Sequence, residues 1–172
     1  MWQRNVIDEF KSLSEDEIKE KLQATAFPYA VCFENLCNDF NIASGIRNAN
    51  CFNAQAVFYI GDKKFDRRGM LGAHNYMDIK WLPTIDDFLQ LKTTYKIVGF
   101  DNIVGAKPMS SYTWEPNTII VFGSEGVGLS LGMQAICEEF VFIEQWGSIR
   151  SLNVATASGI AMNNIVQQLR KL

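Results

Sequence analysis

The residues most suited to chemistry lie in one stretch, Thr118–Ser130, with the sequence TIIVFGSEGVGLS. Its first five residues are apolar or β-branched, which predicts a buried strand. Three glycines within the next six residues allow tight turns and a close approach of the backbone to a ligand. A helix is predicted to follow from Ser130. A glycine-rich loop between a strand and a helix is typical of small-molecule sites in α/β proteins.

The order of residues in this loop argues against two common phosphate-binding sites. The loop is neither G-x-G-x-x-G nor a sequence ending in G-K-[ST], so it is not a dinucleotide fingerprint or a P-loop. Glu125 would also repel a phosphate, which favours a neutral or cationic group beside the loop. A plain strand-to-helix turn is the alternative interpretation of an isolated glycine cluster.

Basic residues form two further candidate sites. Arg47 lies on a helix predicted over Ile42–Phe52 with Asn41 as its cap; a surface ion pair is the alternative role for this arginine. The loop 61–69 is the most basic in the chain and could bind RNA phosphates and stack a base on Phe65, or be only a solvated loop. Its four cations are Lys63, Lys64, Arg67 and Arg68. His74 is expected to be hydrogen-bonded in a turn rather than to act as a catalytic base.

Composition limits the classes of protein. With 172 residues, 48% of them hydrophobic, the chain is expected to fold as one domain. No apolar run approaches the ~20 residues of a transmembrane helix. The four cysteines form no C-x-x-C pair and there is one histidine, so we expect reduced thiols, a cytoplasmic location and no metal site. A net charge of −3 argues against nonspecific nucleic-acid binding but permits a local basic face.

Five or six predicted strands alternate with helices along the chain. This alternation predicts an α/β fold with a mostly parallel sheet flanked by helices. Residues 1–27 are interpreted as a helical lead-in with a capping box at Ser14 and Glu17, and residues 28–172 as the main domain. Small residues on the Ile42–Phe52 helix and on a long helix from Leu152 predict close packing, either within the chain or against a second copy.

Three stretches together resemble the SpoU/TrmH branch of the SPOUT RNA methyltransferases. They are NDFNIASGIRNANCFNA, in which Arg47 follows Asn41 by six residues, IIVFGSEGVGLS, and SIRSLNVATASGIA. Their order and strand context match the family over roughly residues 28–170. The sequence departs from the family's usual residues at Asn48, Asn53, Glu144 and Ala155.

The resemblance implies a specific fold and activity. The fold would be a SPOUT fold, an α/β sheet whose C-terminal segment threads through a loop to form a deep trefoil knot. The cofactor would be S-adenosylmethionine, and the protein would be a homodimer with its active site at the subunit interface. The reaction would be methyl transfer to a ribose 2′-hydroxyl of tRNA or rRNA. The alternative is a noncatalytic SPOUT-like module that binds RNA or a protein partner.

The resemblance also assigns roles to residues. Arg47 matches the family's catalytic arginine, and the residues implied to orient it, the loop and the ribose are Asn41, Glu125, Ser151 and Asn153. The implied cofactor contacts are Phe122, Gly123, Gly128, Ile143, Leu152 and Asn153. Apart from the resemblance, the predicted RNA contacts are the four cations of the basic loop, Lys63, Lys64, Arg67 and Arg68, together with Arg150.

Overall fold

The structure, a computed structural model, describes residues 4–34, 39–61 and 66–171. These residues form a parallel sheet of seven strands in the order β3-β2-β1-β6-β4-β7-β5. The strands are β1 (Phe27–Glu34), β2 (Ala54–Ile60), β3 (Ile79–Leu82), β4 (Lys96–Phe100), β5 (Lys107–Pro108), β6 (Thr118–Phe122) and β7 (Glu139–Phe142). The predicted α/β class with a largely parallel sheet is confirmed.

The described residues also form five α-helices: one precedes the strands, three connect them and one follows the last strand. They are α1 (Glu15–Ala24), α2 (Asp39–Cys51), α3 (Ile85–Leu89), α4 (Leu131–Ile136) and α5 (Val154–Leu169). The predicted capping box of α1 is present, since Glu17 accepts from the backbone N–H of Ser14 at 2.7 Å and the Ser14 hydroxyl accepts from the Glu17 N–H at 3.2 Å. No helix in the described ranges is long and apolar enough to cross a membrane.

Both faces of the sheet are covered, which explains why its central strands are apolar along their whole length. In β1, Tyr29, Val31 and Phe33 belong to one hydrophobic cluster, and Ala30 and Cys32 belong to another. The first cluster contains residues of α2 and α5, including Ile46 and Met162. The second contains Phe88 of α3 and Met133 of α4. The alternation of side chains along a strand therefore produces two separate cores.

Small residues let α2 and α5 pack closely within one chain. A Cβ atom at Gly45 would lie 2.2 Å from the Phe33 ring, so α2 sits directly on β1. The Asn48 amide of α2 donates to the Ala155 carbonyl at 2.8 Å. A Cβ atom at Gly159 of α5 would lie 3.2 Å from the same amide. This packing explains part of the small-residue pattern without a second copy.

The lead-in before β1 is anchored to the rest of the chain. Ile18 of α1 is fully buried. The Asn53 amide donates to the Leu22 carbonyl at 3.2 Å, and the Asn75 amide donates to Glu15 Oε1 at 2.9 Å. Helix α1 is therefore held at its C-terminal end by one asparagine and near its N-terminal end by another.

The sequence-based elements need three corrections. Asn41 is not a helix cap, because α2 begins at Asp39 and Asn41 lies inside its first turn. Pro108, predicted to mark a loop, is part of the two-residue strand β5, where an edge position tolerates its missing N–H. That short strand also raises the number of strands from the expected five or six to seven. Lys63, Lys64 and Phe65 lie outside the described residues.

A charged network links β4, β5 and β7. Glu139 accepts hydrogen bonds from Lys107, from Lys96 at 2.8 Å and from the Tyr112 hydroxyl at 2.6 Å. These hydrogen bonds stabilise the carboxylate and lower the pKa of Glu139 to about 2; the largest effect comes from Lys107, followed by Lys96 and Tyr112. Its side chain is 24% exposed, so the network is partly shielded from water.

The Glu139 network predicts a pH-dependent stability. A carboxylate whose pKa is lowered by folding stabilises the protein above its unfolded pKa of about 4.3, and this contribution is lost as the pH falls through that value toward 2. In urea denaturation followed by circular dichroism, Glu139→Gln should be clearly less stable than the wild type at pH 7. The difference should shrink as the pH falls toward 2.

The matched control is Glu20→Gln, because Glu20 is an exposed carboxylate on α1 with no hydrogen bond or ion pair from its side chain to the described residues. Equal losses of stability in the two variants at pH 7 would contradict a specific role for Glu139.

Candidate active site

A cavity of about 490 Å³ opens at the carboxyl ends of β4, β6 and β7. The last residues of these strands, Phe100, Phe122 and Phe142, line it. The glycine-rich loop forms one wall, and the segment between β7 and α5 forms another. The cavity therefore lies where parallel α/β sheets commonly bind small molecules.

The glycine loop is folded tightly on itself. Ser124 and Gly128 exchange two backbone hydrogen bonds, of 3.1 Å and 2.8 Å. A Cβ atom at Gly123 would lie 2.2–2.3 Å from backbone atoms of Gly128 and Leu129, so only glycine fits there. Gly128 has a φ of 70°, in the left-handed region that favours glycine. Glycine at position 123 is thus required by the loop's own backbone, in addition to any contact with a ligand.

Two carboxylates that the sequence interpretation did not assign hold this loop. Asp101, directly after β4, accepts from the Leu129 N–H at 3.0 Å. Glu34, the last residue of β1, is 1% exposed and accepts from both the backbone N–H of Ser130, at 2.9 Å, and the Ser130 hydroxyl. An acidic residue at the end of an apolar strand was the available sequence signal for both. They fix the loop to its two neighbouring strands.

Asn153 joins the three resembling stretches. Its side-chain oxygen caps α5 by accepting from the N–H groups of Ala155 at 3.0 Å and Thr156 at 3.2 Å. Its amide nitrogen donates to Asn41 at 3.0 Å and to Glu125. Glu125 also accepts from the Val154 N–H at 3.3 Å. The structure therefore brings three predicted site residues, Asn41, Glu125 and Asn153, into one hydrogen-bonded group.

Two of the departures from the family's usual residues contact each other. The Asn48 amide reaches the Ala155 carbonyl at 2.8 Å and the Ser158 hydroxyl at 3.3 Å. An amide at position 48 thus supplies a bond between α2 and the first turn of α5. A third departure, Glu144, accepts a hydrogen bond from the Ser110 hydroxyl, which lowers the pKa of Glu144.

The predicted cofactor contacts surround the cavity, with one exception. Phe122, Gly123, Gly128, Ile143 and Leu152 line it, as do Glu125, Ser151 and Arg150. Asn153 is not among the lining residues but bonds to Glu125 at its edge. Arg150, predicted to contact RNA, is exposed at this wall, whereas Arg67 and Arg68 do not line the cavity.

Arg47 does not line this cavity. Six residues along a helix correspond to about 9 Å and to a rotation of about 240°, so Arg47 points away from Asn41. Asn41 is buried, whereas Arg47 is exposed and lines a second cavity, together with Asn50 and Cys51 of α2. Among the described residues, Arg47 has no hydrogen bond or ion pair. The structure therefore separates the predicted catalytic arginine from the predicted cofactor contacts within one chain.

The remaining predicted basic contacts lie beyond the end of β2. Arg67 and Arg68 are exposed on a 3₁₀ turn, Arg67–Met70. Arg68 pairs with Asp66 at 2.6 Å and lies over the Phe40 ring at 5.7 Å. His74 lies in the next 3₁₀ turn, and its Nδ1 is buried with no hydrogen-bond partner in the described part of the chain. The expected turn hydrogen bond of that nitrogen is therefore not formed.

Comparison with known proteins decides the family. The model of the SpoU rRNA methylase family matches residues 28–163, which include the glycine loop and most of α5. The chain belongs to the SpoU rRNA methylase family. The match begins one residue after the start of β1 and contains all three stretches on which the resemblance rests.

Relatives in the family are distant in sequence. The chain is 25% identical over 164 residues to the 23S rRNA (guanosine-2′-O-)-methyltransferase RlmB of Acinetobacter baylyi. It is 28% identical over 168 residues to the RlmB of Haemophilus ducreyi. These alignments cover 91% and 92% of this chain. The chain spans about two thirds of the length of both relatives, 66% and 67%.

Solved structures share the fold. The TrmH/SpoU tRNA modifying enzyme of A. aeolicus has a TM-score of 0.80 at 20% identity, covering 92% of this chain and 86% of that one. The SpoU methyltransferase AviRb of Streptomyces viridochromogenes, in complex with AdoMet, has a TM-score of 0.75 at 23% identity. That alignment covers 85% of this chain and 62% of AviRb. These likenesses support the fold of the family member described here.

The self-packing of the loop predicts different effects of two alanine substitutions. Gly123→Ala forces backbone atoms of residues 128–129 to move, and overpacking of this kind costs about 1–3 kcal/mol of unfolding free energy. Gly126→Ala is the matched control, because a Cβ there meets no atom within 4 Å and should change stability by less than about 0.5 kcal/mol. Urea denaturation measures both values.

Hydrogen exchange gives a local readout of the same prediction. The Gly128 N–H donates to the Ser124 carbonyl at 2.8 Å, so it should exchange faster in Gly123→Ala than in Gly126→Ala. Equal stability and equal exchange in the two variants would contradict the proposed packing.

Proposed function

We propose that this chain transfers a methyl group from S-adenosylmethionine to a ribose 2′-hydroxyl of RNA. The observation that carries the proposal is the cavity of about 490 Å³, whose wall is the glycine loop that resembles the family's cofactor motif. Its volume lies within the range of small-molecule sites, roughly 300–1,000 Å³. Membership of the SpoU rRNA methylase family supports the same reaction class.

The chemistry of the lining residues fits S-adenosylmethionine. Phe142 is half-buried and offers apolar surface for an adenine ring, and the backbone groups of Gly123, Ile143 and Leu152 can bind its polar edge. Two carboxylates, Asp101 and Glu125, and one cation, Arg150, also line the cavity. An excess of negative charge suits a cationic sulfonium, and the arginine can pair with the methionine carboxylate.

The chain's own residues would position the reacting groups. When bound, S-adenosylmethionine supplies an electrophilic methyl group on sulfur. Asn153 fixes Glu125 at the cavity edge while capping α5, so the loop and the helix keep one relative position. Ser151 lies in the same wall and can contact a ribose. Alignment of hydroxyl, methyl and sulfur would supply much of the rate enhancement.

Arg47 would act on the acceptor hydroxyl. As its oxygen bonds to the methyl carbon, the hydroxyl must release its proton to water, and the electron pair of the breaking carbon–sulfur bond stays on the sulfur. A guanidinium keeps its protons in proteins, so Arg47 would stabilise the developing alkoxide and bind the adjacent phosphate. Its exposure and its lack of a partner among the described residues leave it accessible to an RNA.

A second copy of the chain would complete the site. Arg47 lines the second cavity and not the cofactor cavity, so one chain does not bring them together. Large apolar side chains near the cavity are strongly exposed, among them Val127, Leu131, Trp146 and Ile149. Burial of these side chains in a homodimer, with Arg47 of one copy near the cavity of the other, would satisfy both observations. We also propose that the C-terminal segment forms the family's trefoil knot.

The RNA would be bound by several arginines rather than by a wholly basic surface. Arg150 at the cavity and Arg67 and Arg68 on the 3₁₀ turn are exposed cations suited to phosphates. The named relatives act on 23S rRNA, and a structural neighbour is a tRNA modifying enzyme, so both RNA classes are candidate substrates.

Substitution of Arg47 tests the proposed reaction. Arg47→Ala should reduce single-turnover transfer of labelled methyl to RNA by about 10²–10³-fold, because an electrostatic contact to the transition state is lost. Melting temperature and S-adenosylmethionine affinity should stay close to wild type, since the side chain is exposed and does not line the cofactor cavity. Arg47→Lys should restore little activity, because lysine lacks the planar fork of donors.

Mixed dimers separate a shared site from a site within one chain. Arg47→Ala chains co-expressed with Glu125→Ala chains should recover part of the activity if Arg47 acts on the cavity of its partner. No recovery would contradict the shared site. Near-normal turnover of Arg47→Ala alone would contradict the catalytic role of Arg47. If the wild type binds S-adenosylmethionine but transfers no methyl group, the noncatalytic RNA- or partner-binding module is favoured instead.

A further inference from the structure

The second cavity, of about 440 Å³, has Arg47 in its wall and is called the N-terminal groove here. One wall is the lead-in, with Val6, Ile7 and Phe10. The opposite wall is the outer face of α2, and the third comprises Met70 and Leu71 beyond β2. Because Ile18 is fully buried and Asn53 and Asn75 bond to α1, the lead-in wall is held in place in the free protein.

Apolar side chains at the groove remain exposed. Ile7 is 63% exposed and Leu71 is 51% exposed, while Met70 and Tyr76 close the floor and are nearly buried. Leu71 also has a φ of 47°, a left-handed conformation that a leucine rarely adopts. A strained backbone that holds an apolar side chain at the rim of a cavity indicates a binding role.

Polar groups in the groove complement a nucleotide. The Asn50 amide carries both a donor and an acceptor, and it has no hydrogen bond to any described residue. Such an amide can pair with the polar edge of a base whose faces contact apolar side chains. Arg47 adds a fork of donors suited to a phosphate or a ribose oxygen. The groove thus combines apolar walls, one amide and one guanidinium.

Two further cations precede the groove residues Met70 and Leu71 in the chain. Arg67 and Arg68 belong to the 3₁₀ turn that ends at Met70, immediately before Leu71. Both are exposed, and the Arg68 guanidinium lies over the Phe40 ring. If a nucleotide binds in the groove, the phosphates of its neighbours in the RNA would contact these arginines.

We propose that the N-terminal groove receives the base of the RNA nucleotide whose ribose is presented to Arg47. The proposal rests on the proposed methyl transfer, and it assigns to the lead-in the role of forming one wall of the base pocket. A base removed from its stack is recognised by apolar or aromatic faces together with hydrogen bonds to its edge, and the groove supplies both.

The test uses the full chain labelled with ¹³C at its methionine methyl groups. Met70 lies in the groove, whereas Met133 is buried in the other hydrophobic core and serves as the internal control. The probes are the four ribonucleoside 5′-monophosphates, titrated separately to their solubility limits. At least one should shift the Met70 signal in a saturable manner and leave the Met133 signal unchanged.

A substitution at the rim sharpens the test. Leu71→Gly removes the apolar side chain at a position whose backbone conformation suits glycine, so the fold should be retained. It should weaken nucleotide binding about tenfold, as expected when one large apolar contact is lost. Leu89→Ala, at an exposed leucine on α3, is the control and should bind like the wild type.

The outcomes separate this proposal from the proposed reaction. A Met70 signal that no nucleotide moves, in a protein that methylates RNA, overturns the base pocket alone. If a second copy fills the groove, the Met70 signal moves with protein concentration but with no nucleotide, and the base pocket is overturned as well. Nucleotide binding at Met70 without methyl transfer supports the pocket and contradicts the enzyme activity.

Discussion

The backbone of Gly128 and Leu129 passes so close to Gly123 that a single added carbon would lie within 2.3 Å of it. This contact turns the chain back on itself directly after β6 and opens the cavity at the ends of three strands. Asp101 and Glu34 hold the returning segment from both sides. The position of every proposed cofactor contact in the loop depends on this close packing.

A second constraint connects the loop to the helices. Asn153 caps α5 with its oxygen and uses its nitrogen to bind Glu125 and Asn41. One amide therefore fixes the glycine loop, the start of α5 and the first turn of α2. Asn48 adds a second bond between α2 and α5. A shift of α2 would thus be transmitted to the cofactor cavity on one side and to the N-terminal groove on the other.

Much of the fold could be predicted from the sequence because the signals were local. The apolar stretches of β1, β2 and β6 and the capping box at Ser14 are decided by neighbouring residues. The two-residue strand β5 could not be predicted, because its pairing with β7 depends on the tertiary arrangement and not on a residue pattern. The start of α2 was misplaced for a related reason: the Asn41 side chain is engaged by Asn153, 112 residues away.

In the candidate site too, the features set by local sequence could be predicted and those set by contacts between distant segments could not. Motif residues around the glycine loop line one cavity as the resemblance implies, since a loop and its flanking strands are set by local sequence. The support from Asp101 and Glu34, and the placement of Arg47 beside the lead-in, arise from contacts between distant segments. A spacing of six residues between Asn41 and Arg47 gives no sign that they point in different directions until the helix geometry is considered.

Mass spectrometry of nucleosides tests the central claim most directly. RNA from cells with the gene, from cells without it, and from cells expressing Arg47→Ala would be digested separately from the tRNA and rRNA fractions. We predict that one 2′-O-methylated nucleoside is present with the wild-type gene and lost in the other two. Identical nucleoside profiles in all three strains would contradict the assignment of this chain as an RNA ribose methyltransferase.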